Sequence, residues 1–221
     1  MPKAVIFDVD GTLIDSVDLH AAAWVETFRH FGLVVSHGAV RSQIGKGGDQ
    51  LMPVFVPRDL LERRGGEIEA FRADLFKRDY LSQARAFPGV RALFERLRTA
   101  GQTVVLASSG KAGEVERYQE IAGITDLVQA VTTSDDAERS KPHPDIFEAA
   151  LRKVAPIGAA EAVVVGDSPY DAEAAAKAGL RTVGVLCGGF PEKDLRSAGC
   201  VAVYRGPEDL LRHYDSSPLH G

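Results

Sequence analysis

Cysteine is scarce in this sequence: two residues in 221, Cys187 and Cys200. That excludes a disulfide framework and suits a reducing compartment. Both read as small buried apolar side chains. Long hydrophobic runs are missing too. None approaches the roughly 20 residues that span a bilayer, and the opening "MPKAVIFDVD" lacks an apolar stretch of signal-peptide length. There is no basic excess: Lys and Arg number 26 against 31 Asp and Glu, a formal net charge of −5. With no basic, aromatic-interleaved stretch, this balance argues against a nucleic-acid partner. The expectation is a cytoplasmic protein with neither a membrane nor a nucleic acid as partner. Apolar residues make up 45% and charged residues 26%, the balance of a globular chain. The length allows one large domain or two smaller ones.

Short β-branched runs punctuate the chain: "AVIFDV" (4–9), "TVVLAS" (103–108), "DLVQAV" (126–131), "AVVVGD" (162–167) and "RTVGVL" (181–186). Their apolarity is continuous rather than alternating, as in parallel strands covered on both faces. Helical patterns separate them at 90–101, 112–123 and 144–155, with Pro144 suited to a first helical position. A last run, "CVAVY" (200–204), precedes a helix at about 207–213. Strand alternating with helix predicts an α/β fold, a doubly wound parallel sheet of Rossmann-like form. Residues 16–85 break the alternation. "VDLHAAAWVETFRHFG" (17–32) reads as helix, and 59–84 reads as helix on both sides of Gly65-Gly66, with no convincing strand. A block this long exceeds an ordinary crossover. The expected division is a core of 1–15 and 86–221 with an all-helical subdomain at 16–85. The terminal residues, 215–221, read as frayed.

Ligands of open α/β sheets bind beyond the carboxyl ends of the strands, so what each strand delivers there matters. Strand one ends in Asp8 and Asp10, which alternation along the strand puts on one side. Such neighbours disfavour each other's ionised forms and need a compensating charge. The second strand delivers Ser108 and Ser109. The loop "RSKPHPD" carries Lys141, and "GDSPYD" carries Asp167 and Asp171. Asp8 and Asp167 offer the hard oxygens that suit Mg²⁺. Lys141 can meet a phosphate, and Pro142 biases it towards an extended backbone. Ser108 and backbone N–H groups ahead of the helix at about 112 can donate to phosphate oxygens. One carboxylate can attack phosphorus while the other moves the proton.

Each residue also has a plainer reading. Asp8, Asp10 and Asp167 could be turn residues, Lys141 an exposed lysine, and Ser108 a helix cap. Asp171 could be the N-cap of "AEAAAKAG". Asp135 and Asp136 read as loop residues.

"DVDGT", "ASSG", "KPHPD" and "GDSPYD", in that order and at those strand ends, resemble the four motifs of the haloacid dehalogenase superfamily. The likeness covers the whole core, and block 16–85 is similar to the small helical cap of its phosphatase and β-phosphoglucomutase-like members. The resemblance implies Asp8 as nucleophile and Asp10 as general acid and base. It implies Ser108, Ser109 and Lys141 on the phosphoryl group. It implies Mg²⁺ held by the Asp8 side chain, the Asp10 carbonyl and Asp167, with Asp171 ordering that shell. A loop near "IGKGGDQL" (44–51) faces the active site in that family, which makes Lys46 a candidate for the distal part of a substrate. The stretch is not a P-loop, since no Ser or Thr follows the Lys. His20 shares a helix face with Trp24 and resembles a cap-hinge histidine; Trp24 reads as packing.

The function implied is a Mg²⁺-dependent phosphatase acting on a small phosphorylated metabolite such as a sugar phosphate or phosphoglycolate. A β-phosphoglucomutase-like mutase is the first alternative, although those mutases carry "EDS" where Gly166 here precedes Asp167. Dehalogenases and phosphonoacetaldehyde hydrolases lack the second Asp of strand one, so Asp10 argues against both. A catalytically idle binding protein on the same fold is the reading from another class.

Overall fold

A computed structural model describes all residues, 1–221. Six parallel strands form the central sheet: β1 (Ala4–Phe7), β4 (Thr103–Ala107), β5 (Ala130–Thr132), β6 (Ala162–Gly166), β7 (Arg181–Val185) and β8 (Ala202–Tyr204), in the order β5-β4-β1-β6-β7-β8. Two short strands, β2 (Ile14–Asp15) and β3 (Arg85–Ala86), form a separate antiparallel ribbon. β1 is central, with Val5 opposite Val104 of β4 and Val163 of β6.

The continuous apolar runs are explained by the two faces of this sheet. Val5 and Phe7 pack with Leu93 and Phe94 of α5 (Val90–Thr99) and with Val115 and Tyr118 of α6 (Ala112–Ala122). Ala4 and Ile6 point the other way, to Phe147 of α7 (Asp145–Lys153) and Ala174 of α8 (Pro169–Lys177). Each strand thus alternates between two cores, and neither face needs polar residues.

Between β2 and β3 lie α1 (Val17–His30), α2 (His37–Arg41), α3 (Gly48–Phe55) and α4 (Arg58–Leu75). Trp24, Phe28, Leu51 and Ile68 close a small apolar cluster of their own there. α4 runs unbroken through Gly65-Gly66, where the sequence suggests two segments. Glycine weakens a helix interior by about 1 kcal/mol, and the pairs Arg58–Glu62 and Arg63–Asp59 fall at i,i+4 spacing along the same helix. Its last turn passes into a single π turn, Phe76–Tyr80.

Several expectations need correction. The third strand is Ala130–Thr132 rather than 126–131; the Gln129 side chain accepts from the Val104 N–H, so the ladder begins late. Pro144 is the N-cap of α7, not its first helical residue. Asp135 and Asp136 sit in a 3₁₀ turn closed by Thr133. The terminus is not frayed. Leu219 is wholly buried. Gln102 Nε2 donates to the carbonyls of Pro2 (2.9 Å) and Leu219 (2.8 Å), and Tyr214 Oη donates to Gln102 Oε1 at 2.6 Å. One buried amide, fully used, ties both chain ends to the sheet. Leu219→Ala should therefore cost about 2–5 kcal/mol, read as a lower urea midpoint; an unchanged midpoint would mean a loose terminus.

Candidate active site

β1 ends at Phe7, and the chain folds into a tight loop in which Leu13 N–H and Ile14 N–H both donate to Val9 O, at 2.8 and 3.0 Å. Strict alternation therefore stops before Asp10. Even so, Asp8 and Asp10 border one cavity of about 280 Å³, which opens between the sheet's carboxyl rim and the helical block. Gly11 makes the loop possible: its φ is +78°, and a Cβ there would collide with the Asp167 carboxylate.

Behind the cavity lies a buried charge cluster. Lys141 Nζ is 2.5 Å from Asp8 Oδ1 and 2.8 Å from Asp171 Oδ1, and it donates to Ala107 O at 3.2 Å. The Lys141 side chain is 1% exposed, so it is not a surface lysine. Burial disfavours its charge, but Asp171 and Asp8 outweigh that and raise its pKa above the ordinary lysine value. The Thr12 hydroxyl lies 2.9 Å from Asp8 Oδ2 and 3.3 Å from Asp167 Oδ1. Burial pushes Asp8 up to about 7; Lys141 opposes this, while Asp171 and Asp10 reinforce it. Asp167 is raised by burial first and then by Asp8 and Asp171.

Asp171 is not the helix N-cap. Ser168 caps α8, and Asp171, at its third position, accepts from Ser168 N (3.1 Å) and Oγ (2.6 Å). Its other oxygen, Oδ1, faces Lys141 Nζ at 2.8 Å and has no further partner. Oxygens of Asp8, Asp167 and Asp171 converge within 4.8 Å of one another. An all-oxygen set of three carboxylates fits a hard divalent cation, with Lys141 offsetting part of their charge.

Asp10 lives in a different environment. Ser16 Oγ donates to its Oδ1 at 2.6 Å, and His20 Nε2 is 2.7 Å from the same atom. Burial raises the Asp10 pKa, but His20, Ser16 and Arg72 together hold it down at about 2. His20 is buried, stacked on Phe76 at 4.1 Å and 8°, so it bears directly on the rim. Its Nδ1 meets Arg72 of α4, and Tyr118 Oη is 3.2 Å from Nε2. Glu114 of α6 faces both His20 and Arg72. Burial raises Glu114, and His20 and Arg72 pull it back.

The serines divide. Ser109 lines the cavity with a buried Oγ that has no partner. Ser108 is 1% exposed, and its Oγ accepts from Gly110 N–H at 3.0 Å. It closes that turn rather than capping α6, whose N-cap is Lys111. Lys46 also borders the cavity, but its Nζ sits 2.5 Å from Gln43 Oε1 and over the Tyr170 ring. Burial lowers the Lys46 pKa, with Glu173 opposing. Trp24 packs on Phe28 and lines the cavity as well.

Sequence reasoning does not single out Thr12, Arg72, Glu114 or Tyr118. Thr12 stands inside the quoted "DVDGT" and could have been found there. Arg72, Glu114 and Tyr118 follow ordinary helical spacing, and only the approach of the Arg72 and His20 side chains to α6 sets them apart.

Comparison with known proteins places the chain in a family. A phosphoglycolate phosphatase of Rhodospirillum rubrum is 30% identical over 212 residues, 92% of this chain and 87% of that protein. One of Cereibacter sphaeroides is 32% identical over 221 residues, 94% and 97% of the two chains. A hydrolase from Pseudomonas syringae superposes with a TM-score of 0.86 at 30% identity, covering 96% of this chain and 98% of that one. Residues 5–185 match the model of one family throughout. The chain belongs to the haloacid dehalogenase-like hydrolase family.

Proposed function

We propose that the protein is a Mg²⁺-dependent phosphatase that hydrolyses a small phosphomonoester through an aspartyl-phosphate on Asp8, with phosphoglycolate-like acids and sugar phosphates as the substrate class. The observation that carries this reading is the geometry of Asp8. It is a buried carboxylate at a cavity wall, with Lys141 at 2.5 Å, an oxygen cluster behind it and a second carboxylate across the same cavity. The chain is a phosphoric monoester hydrolase.

On this reading residues 16–85 are the cap, and 1–15 with 86–221 are the catalytic core. Asp8 attacks phosphorus. Lys141 offsets negative charge as the phosphoryl group moves. Ser109 Oγ and the N–H groups ahead of α6 donate to the phosphoryl oxygens, and Ser108 supports them by shaping the turn. Asp8, Asp167 and the Asp10 carbonyl would hold Mg²⁺, with Asp171 beside them. When bound, the ion would neutralise carboxylate and phosphoryl charge. Asp10 protonates the departing oxygen and then activates the water that attacks the aspartyl-phosphate. Its low pKa suits the second task. An arriving phosphate dianion raises it for the first, because like charges disfavour the ionised form. Lys46 lies at the cavity rim, where the rest of the substrate extends.

Phosphate release over a panel of 2-phosphoglycolate and sugar phosphates should require Mg²⁺ and vanish with EDTA. Asp8→Asn should abolish it, and Asp10→Asn should slow it roughly 10²–10⁴-fold. Release that survives either EDTA or Asp8→Asn contradicts the proposal. With β-glucose 1-phosphate and its bisphosphate, free phosphate should appear; glucose 6-phosphate would mark a mutase instead. A stability effect accompanies the charge. Burial favours neutral Asp8, so metal-free stability falls as pH rises from the ordinary carboxylate range through about 7. Asp8→Asn in EDTA should therefore melt above wild type at pH 8 and level with it at pH 4. Equal melting at pH 8 would contradict that cause.

A further inference from the structure

Asp10 has partners whose arrangement the hydrolysis scheme does not require. His20 lies on α1 and Arg72 on α4, both in the helical block; Glu114 and Tyr118 lie on α6, in the core. Arg72 carries donors only. The His20 Nδ1 that it meets must accept, which leaves the ring proton on Nε2, facing Asp10 at 2.7 Å. Arg72 thus selects the tautomer that can donate to Asp10.

Arg72 is itself placed by two rings and one carboxylate. Its guanidinium carbon is 4.9 Å from the Phe76 ring centre and 5.6 Å from that of Trp24. Glu114 Oε2 lies 4.0 Å from Arg72 Nη1, and Glu114 Oε1 lies 3.9 Å from His20 Nε2. The Glu114 side chain is 14% exposed, and its charge partner is Arg72 of the helical block, with the His20 ring beside it. A carboxylate so far removed from water is costly unless paired, so it favours the arrangement in which Arg72 and His20 sit over α6.

We propose that Glu114 is a positioning residue: it holds the Arg72 of the cap against the core and, through Arg72 and His20, aims Asp10 at the leaving oxygen. The proposal rests on the phosphatase reading for the task of Asp10. The chain of contacts crosses between core and cap twice, from Glu114 to Arg72 and from His20 back to Asp10. With Arg72 and His20 displaced, Asp10 keeps the Ser16 hydroxyl alone. Orientation of the acid and exclusion of bulk water are then one event, because both need the cap seated.

The test uses Glu114→Gln, Arg72→Gln and the double variant of the full chain with Mg²⁺, read by single-turnover release of two leaving groups. The alcohol of 2-phosphoglycolate needs a proton to depart; 4-nitrophenolate from 4-nitrophenyl phosphate does not. Each single variant should slow the first about tenfold or more and the second less than about twofold, since only the protonated departure depends on a well-aimed acid. The double variant should lose no more than the worse single one, because residues of one unit are not additive. Equal slowing of both leaving groups, additive losses or no loss at all would overturn the proposal. Circular dichroism checks folding. If Glu114→Gln does not fold, Glu114→Asp, which keeps the charge one methylene shorter, carries the comparison with the same outcomes. A wild type that turns over neither substrate defeats the phosphatase reading; an active wild type with indifferent variants defeats this inference alone.

Discussion

A lysine buried between two aspartates governs the layout of this molecule. Lys141 touches Asp8 at 2.5 Å and Asp171 at 2.8 Å, with all three side chains 7% exposed or less. Withdrawing such ions from water costs several kcal/mol each, and only close opposite charge makes the burial tolerable. The three residues lie far apart in the chain. They meet because β1 sits between β4 and β6, the loop after β5 returns to the same rim, and α8 starts there. The parallel order of the sheet and the charge cluster therefore explain each other. The sheet brings the charges together, and leaving any one of them unpaired would be expensive.

The same rim separates two carboxylates that stand only two residues apart. Asp8 is pushed up to about 7 by burial first and by neighbouring acids after it, against Lys141, whereas His20, Ser16 and Arg72 overcome burial at Asp10 and hold it at about 2. Pairs whose environments push their pKa values apart are the ones able to divide labour in acid–base chemistry. Here the division follows from location. Asp8 faces the core cluster. Asp10 faces α1 and α4 of the helical block, so its state depends on residues that do no chemistry themselves. The π turn at Phe76–Tyr80 belongs to this arrangement, since it carries the ring that stacks on His20; such turns are frequent at functional sites.

Much of this is legible in the sequence, for a physical reason. Buried parallel strands write themselves as short β-branched runs, and ligands of such sheets meet the residues at their carboxyl ends, so Asp8, Ser109, Lys141 and Asp167 can be placed from the sequence alone. The third strand reads as starting early because "DLVQAV" is largely apolar, whereas the Gln129 side chain, taking the Val104 N–H, decides where the ladder starts. The terminus reads as loose because residues 215–221 are mostly polar or small; their one leucine is what the core takes. Block 16–85 is legible only as helix. Its contribution to the site depends on which side chains of α1 and α4 reach α6, and Arg72 and Glu114 then meet through tertiary packing with no local pattern to mark them.

The central claim is that Asp8 carries the phosphoryl group. It is tested most directly by mass spectrometry of Asp10→Asn protein, quenched in acid within one turnover of 2-phosphoglycolate and Mg²⁺. The account predicts one added phosphoryl group on the peptide containing Asp8, lost on base or hydroxylamine treatment. Phosphate release from this variant with no modified peptide, or a label on another residue, would contradict it.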